Sequence, residues 1–218
     1  MNKNSALQSR ESRVYIFLVS LIICGLASSL ITAPKVVHFG INFPFSNIIF
    51  ATLTYPVTGC ICELWGKAAA KQALCLGLLA QTIFSVIIHI SIVTPHAAFW
   101  SLQSEYHAVL STGLRVAVGG LLAFGVSQLL DIIVYQHVKE LSHGRWMWLR
   151  SNLSAALGQV VDSVIFIGIV FFHSDHLPEI LLGSVVIKVI LSFLMTPVVY
   201  LIVISADRYL KSNTLAFK

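Results

Sequence analysis

The sequence predicts an all-α integral membrane protein of six transmembrane helices with both termini cytoplasmic, and three observations carry that prediction. Six long apolar runs alternate with short connections along the 218 residues. Hydrophobic residues are 57% of the chain and charged ones 11%, too apolar for one soluble domain of this length to conceal. Positive charge gathers on every second connection. Of the 14 Lys and Arg, 11 lie in the two tails or in the connections around Glu63 to Lys71 and Tyr135 to Arg150. Such residues near span ends are retained in the cytoplasm, which orients the chain.

The runs are Val14 to Ala33, Phe43 to Ile61, Ala68 to Thr94, Leu110 to Tyr135, Trp146 to Phe172 and Leu177 to Ile204. Each reaches the ~17–25 residues a helix needs to cross the hydrocarbon core. None alternates every second residue like a barrel strand, and only helices and closed barrels satisfy their own backbone in lipid. The first run follows Lys3, Arg10 and Arg13 as a secretory signal core would. It is too long for one, so it is counted as a span. The second is interrupted by Pro44, Pro56 and Gly59, which makes it either a wall of a binding site or a kinked helix packed on its neighbours. The organisation is one six-helix domain over 14–204, flanked by cytoplasmic tails 1–13 and 205–218.

Several functions are set aside. The net charge of +5 follows from cytoplasmic retention, and no basic patch interleaved with aromatics suggests nucleic acid. Cys24, Cys60, Cys62 and Cys75 form no metal or disulfide framework and read as apolar filler. His173 and His176 flank an outer loop with Asp175 and Glu179, read as a wet connection. Enzyme signatures such as HExxH, GxSxG and a phosphate-binding glycine loop are missing, so no enzyme and no cofactor are expected.

What needs a reason is the set of polar residues inside the spans. A charge at mid-bilayer costs about 2.5–3.5 kcal/mol on insertion scales, so it is expected to pair or to mark a pathway. Arg115, Gln128 and Asp131 lie in the fourth run, Asn152, Gln159 and Asp162 in the fifth, and Lys188 in the sixth. Gln128 and Asp131 share a helix face, as do Gln159 and Asp162, with Asn152 on the latter stripe. Asp131 and Asp162 balance Arg115 and Lys188. A rise of ~1.5 Å per residue puts Asp162 and Lys188 at similar depths, so they can meet. They either neutralise each other to join two helices or face a substrate. A carboxylate beside amides suits a flat heterocycle with adjacent N–H groups. Phe45, Tyr55, Trp65, Phe124, Trp148 and Phe166 are available to stack on it.

These residues carry a resemblance. Tyr55 followed by Glu63-Leu-Trp65-Gly66 and Ala70-Lys71 resembles the Tyr and Glu-x-Tyr-Gly element of the queuosine-precursor transporter family, also called vitamin-uptake-like transporters. Gln128-x-x-Asp131, Trp148-Leu-Arg150-Ser-Asn152-Leu-Ser154 and Gln159-x-x-Asp162-Ser163-x-x-Phe166 are similar to its most distinctive part. Lys188 with Thr196-Pro197-x-x-Tyr200 is similar to its last helix. The resemblance implies an inner-membrane importer of 7-deazaguanine compounds, precursors of the tRNA modification queuosine. It also implies six helices arranged like the substrate-binding component of energy-coupling-factor transporters. On that carry-over Asn152, Gln159, Asp162 and Lys188 line the substrate site, and Glu63, Gln128, Asp131 and Arg150 support it or its gating. The family usually has an acidic residue four positions before the glutamate, where this chain has Gly59.

Three classes follow: a deazapurine importer, a binding subunit for another vitamin-like ligand that needs a separate energising complex, and an intramembrane enzyme using Asp131 and Asp162. The third lacks a nucleophile or metal cluster and is set aside. The expected partners are a small deazapurine and the lipid bilayer. An energising partner docking on the connection from Gln136 to Trp148, or a homo-oligomer, stays open.

Overall fold

The computed structural model describes residues 3–141 and 147–211. They form an all-helical bundle with one two-stranded hairpin. α1 (Lys3–Thr32) is followed by β1 (Val36–His38) and β2 (Asn42–Pro44), which pair antiparallel with Val37 opposite Phe43. The strands close around Gly40, whose φ of 75° favours a residue without Cβ. α2 (Ser46–Ile49) runs into a π-helical turn at Phe50–Thr54 and then into α3 (Tyr55–Val93). A short α4 (Gln103–Leu110) precedes α5 (Gly113–Leu141), and α6 (Met147–Val170) and α7 (Leu177–Lys211) complete the chain. The hairpin and α4 are additions to the six runs of the sequence.

α3 is two antiparallel arms. At Gly66 the backbone takes φ 84° and ψ 173°, outside any helix and open to glycine alone. Were the helix straight, Tyr55 and Leu78 would stand ~35 Å apart, yet both line one cavity. The chain therefore reverses at Gly66, and the arms Ser46–Gly66 and Ala68–Val93 are separate candidate spans. The positively charged connection expected between the second and third runs is compressed into that single turn.

Five of the described helical segments are long and apolar enough to cross a membrane: Arg10–Thr32, Ser46–Gly66, Ala68–Val93, Gln103–Ser127 and Leu177–Met195. In α6 the apolar stretch among the described residues is Leu157–Val170, shorter than a full span. Large apolar side chains such as Phe17, Ile87 and Phe193 are exposed on the outside of the bundle, as a lipid-facing surface requires.

Two packed cores hold the helices. Toward the Gly66 end, Leu18, Ile22 and Leu26 of α1 pack on Val57, Ile61, Ala73 and Leu78 of α3. Toward the hairpin end, Leu30 and Ala33 join Val116, Ala117, Phe166, Ile167 and Ile180. Small residues bring the backbones together. A Cβ at Gly77 would meet Leu26, and one at Gly183 would overlap the backbone carbonyl of Asn42, so α7 seats directly on the hairpin. Among the cysteines Cys60 is buried, and Cys24 and Cys75 are exposed.

Candidate functional site

The two cores meet at a cavity with about 60 Å³ open to the centres of water molecules, several times the ~10–15 Å³ that one water needs. One wall carries Phe50, Thr54 and Tyr55 from the second span with Asp162, Phe166 and Lys188 from α6 and α7. Leu26, Leu74, Leu78, Gln81, Gly120 and Phe124 form the other.

The charged pair anchors the first wall. Lys188 Nζ lies 3.0 Å from Asp162 Oδ2, with the lysine side chain only 3% exposed. Nζ also donates to Ser163 Oγ at 2.9 Å, and that hydroxyl donates to the Gln159 backbone carbonyl at 2.8 Å. Tyr55 Oη donates to the same Oδ2 at 3.3 Å. Both partners of the carboxylate among the described residues converge on Oδ2, and Oδ1 has none there. Among the described residues the lysine uses two of its three N–H bonds. The pair cancels its own charge inside the bundle, which is how a lysine is tolerated at this depth.

Local sequence places the aromatic groups. Pro56 has no N–H to donate one turn back, and its ring would crowd a regular helix. The wide turn at Phe50–Thr54 precedes it, closed by Tyr55 N–H donating to Phe50 O. Turns of this kind concentrate at functional sites. This one sets Phe50, Thr54 and Tyr55 on the cavity. Phe50 lies 6.2 Å from the Tyr55 ring and 6.3 Å from that of Phe166, the latter edge-on. The second span is thus a wall of the cavity, and its prolines do not stop it: Pro44 ends β2 and Pro56 sits in the first turn of α3.

The second wall holds a polar group the sequence analysis did not single out. Gln81 is 2% exposed and donates through Nε2 to Ser29 Oγ at 3.1 Å. Thr54, also 2% exposed, makes no hydrogen bond through Oγ1 among the described residues. Other buried polar atoms in that condition are Ser46 Oγ, the Asn47 amide, Ser85 Oγ and Thr112 Oγ1. Asn47 precedes Thr54 by about two helical turns and Ser85 follows Gln81 by about one, so they lie between the cavity and the hairpin end.

Of the eight residues expected at the site, Asp162 and Lys188 line the cavity. Gln159 lies about one turn away, half-buried, and reaches the pair through its backbone carbonyl. Glu63 is exposed near Gly66, ~12 Å along the helix from Tyr55. Gln128 and Asp131 lie in α5, Arg150 and Asn152 in α6, and their side chains fall outside the described set. Arg115 is exposed in the first turn of α5, away from the Asp162–Lys188 pair. Of the aromatics named for stacking, Tyr55, Phe124 and Phe166 border the cavity, and Trp65 instead meets Tyr15 edge-on at 5.4 Å.

Residues 44–202 match the family described as "Putative vitamin uptake transporter". The chain belongs to this family. Two curated relatives agree. A "Probable queuosine precursor transporter" of Bacillus subtilis (strain 168) is 28% identical over 166 residues, covering 74% of this chain and 72% of the relative. A protein of the same name from Haemophilus influenzae (strain ATCC 51907 / DSM 11121 / KW20 / Rd) is 24% identical over 177 residues, covering 77% and 73%. No solved structure matches the chain. The stretch matched to the vitamin uptake transporter family runs from the end of the hairpin into α7 and contains every residue that lines the cavity except Leu26 of α1.

Proposed function

We propose that this family member imports a queuosine precursor, a 7-deazaguanine base, through the cavity between α1, α3, α5, α6 and α7. The observation that carries the reading is the Tyr55–Asp162–Lys188 constellation beside three aromatic rings. Asp162 Oδ1 accepts from the adjacent N–H groups of a guanine-like edge, and the remaining Lys188 N–H donates to the ring carbonyl. Tyr55, Phe50 and Phe166 flank the faces. Each bond to a charged group contributes about 1.5–3 kcal/mol net, which suffices for recognition without chemistry on the substrate. Gln159 and Asn152 lie on the α6 stripe that runs on toward the Gly66 end. Gln128, Asp131, Arg150 and Glu63 serve the site or its gating from that side.

In this reading α6 also crosses, as the fifth of six spans, and the positively charged connections put both termini in the cytoplasm of an inner membrane. Arg10 stacks over the Tyr209 ring at 5.3 Å, which supports termini on one face and so an even number of crossings. The six-helix arrangement then resembles the substrate-binding component of energy-coupling-factor transporters. The test uses cells that cannot synthesise the precursor and depend on uptake. Deleting this gene abolishes queuosine in their tRNA when the 7-deazaguanine is supplied outside; unchanged incorporation rejects the proposal.

A second reading is a binding subunit for a different vitamin-like ligand, energised by a separate ATPase complex, and the vitamin-uptake description of the family favours it. Co-purification with an ATPase pair, together with binding of another vitamin and no deazapurine, selects that reading.

A further inference from the structure

The cavity has a second polar wall, and its chemistry specifies more of the ligand than the charged pair does. Ser29 Oγ donates to the Leu26 carbonyl at 2.6 Å, and a carbonyl can only accept. That bond uses the only hydroxyl proton of Ser29, so the atom of Gln81 facing Ser29 at 3.1 Å must be the donor Nε2. The amide orientation is thereby fixed by the network itself. Gln81 Oε1 is turned toward Gly120, where a Cβ would come within 3.6 Å of it. A larger residue there would crowd the amide. Oε1 has no partner among the described residues, and Gln81 borders the same cavity as Asp162. Oε1 is not among the fully enclosed unpartnered atoms, so it reaches the cavity, where a ligand N–H can donate to it.

The two walls therefore offer acceptors on separate helices, Asp162 Oδ1 on α6 and Gln81 Oε1 on the second arm of α3. A flat ligand that satisfies both carries N–H donors on two edges. Resting on the importer reading above, we infer that Gln81 accepts the five-membered-ring N–H of the 7-deazaguanine, the position a sugar occupies in the nucleoside. Gln81, positioned by Ser29, makes the cavity selective for the free base. On the same cavity the Thr54 hydroxyl, buried and without a partner among the described residues, can donate or accept.

The experiment measures binding of two isosteric probes to the purified full chain in lipid nanodiscs. They are 7-deazaguanine and the 2-aminofuropyrimidinone in which oxygen replaces the ring N–H. The wild-type protein prefers 7-deazaguanine by about tenfold or more, because oxygen facing Oε1 leaves both unpaired. In Gln81→Met, similar in length without the acceptor, the preference falls to within about threefold. Ser29→Ala keeps the glutamine but frees its amide to rotate, and it also reduces the preference; this variant decides the matter if Gln81→Met does not fold. A preference retained at wild-type strength in either folded variant overturns the inference. Equal affinities for the two probes in the wild type overturn it while leaving the importer reading in place. If neither probe binds, the importer reading falls and this inference with it.

Discussion

Replacing Asp162 with asparagine changes almost no volume but removes the charge that Lys188 meets at 3.0 Å. The lysine is then stranded in a dry interior, and breaking a buried pair in this way costs about 3–5 kcal/mol. Because the Asp162 side chain is 21% exposed to the cavity, the lower end of that range is expected. Uptake falls further, by roughly 10- to 150-fold, if the carboxylate also binds the ligand. Thermal unfolding and transport measured on the same preparations separate the two losses. Asp162→Asn combined with Lys188→Met restores much of the stability without restoring uptake; strictly additive stability effects would show that the two do not interact. Tyr55→Phe keeps the ring and deletes one donor to Oδ2, so affinity drops by about fivefold with little change in folding. The charged pair was legible in the sequence because a charge inside an apolar run is expensive enough to demand a partner, and helical rise put both at one depth. Gln81, Ser29 and Thr54 were not legible. Neutral polar residues are common in spans, and only their convergence on one cavity distinguishes them.

The elements show a similar division between pattern and geometry. Long apolar runs fixed the helices, since the hydrophobic length of each is set by the bilayer. The hairpin at Val36 to Pro44 was hidden because three-residue strands leave no periodicity, and its stability comes from seating on Gly183 of α7. The reversal near Gly66 was expected from the break between the second and third runs, but its compression was hidden, because a single residue with positive φ carries it and the charged stretch around it resembles an ordinary loop. Gly59 and Gly66 give opposite predictions under the same substitution. Gly59 is helical and a Cβ there meets nothing within 4 Å, so Gly59→Ala stabilises the chain by up to ~1 kcal/mol. Gly66→Ala forces a Cβ into a backbone region reserved for glycine and destabilises by about 1–3 kcal/mol. Thermal unfolding of the two variants checks the pair, and equal effects would contradict the turn.

At the scale of the whole molecule, the buried polar atoms without partners among the described residues cluster at the cavity, where Thr54 lies, and on one side of it. Ser46, Asn47, Ser85 and Thr112 all lie on the hairpin side of the cavity, where α2, the second arm of α3 and the start of α5 approach. Left unpaired inside a membrane bundle, each such group costs about 1–3 kcal/mol. That cost is recovered in a conformation that hydrates the groups, as an open route between the hairpin side and the cavity would. This separates a role in transport from a role in folding. If Asn47 serves the route, Asn47→Leu removes two unpartnered polar atoms, raises the unfolding temperature and lowers uptake. A purely structural asparagine gives the same gain in stability with uptake intact. Measuring both quantities on one variant decides between them, because a gain in stability bought with function is expected only where the native residue is kept for the open state.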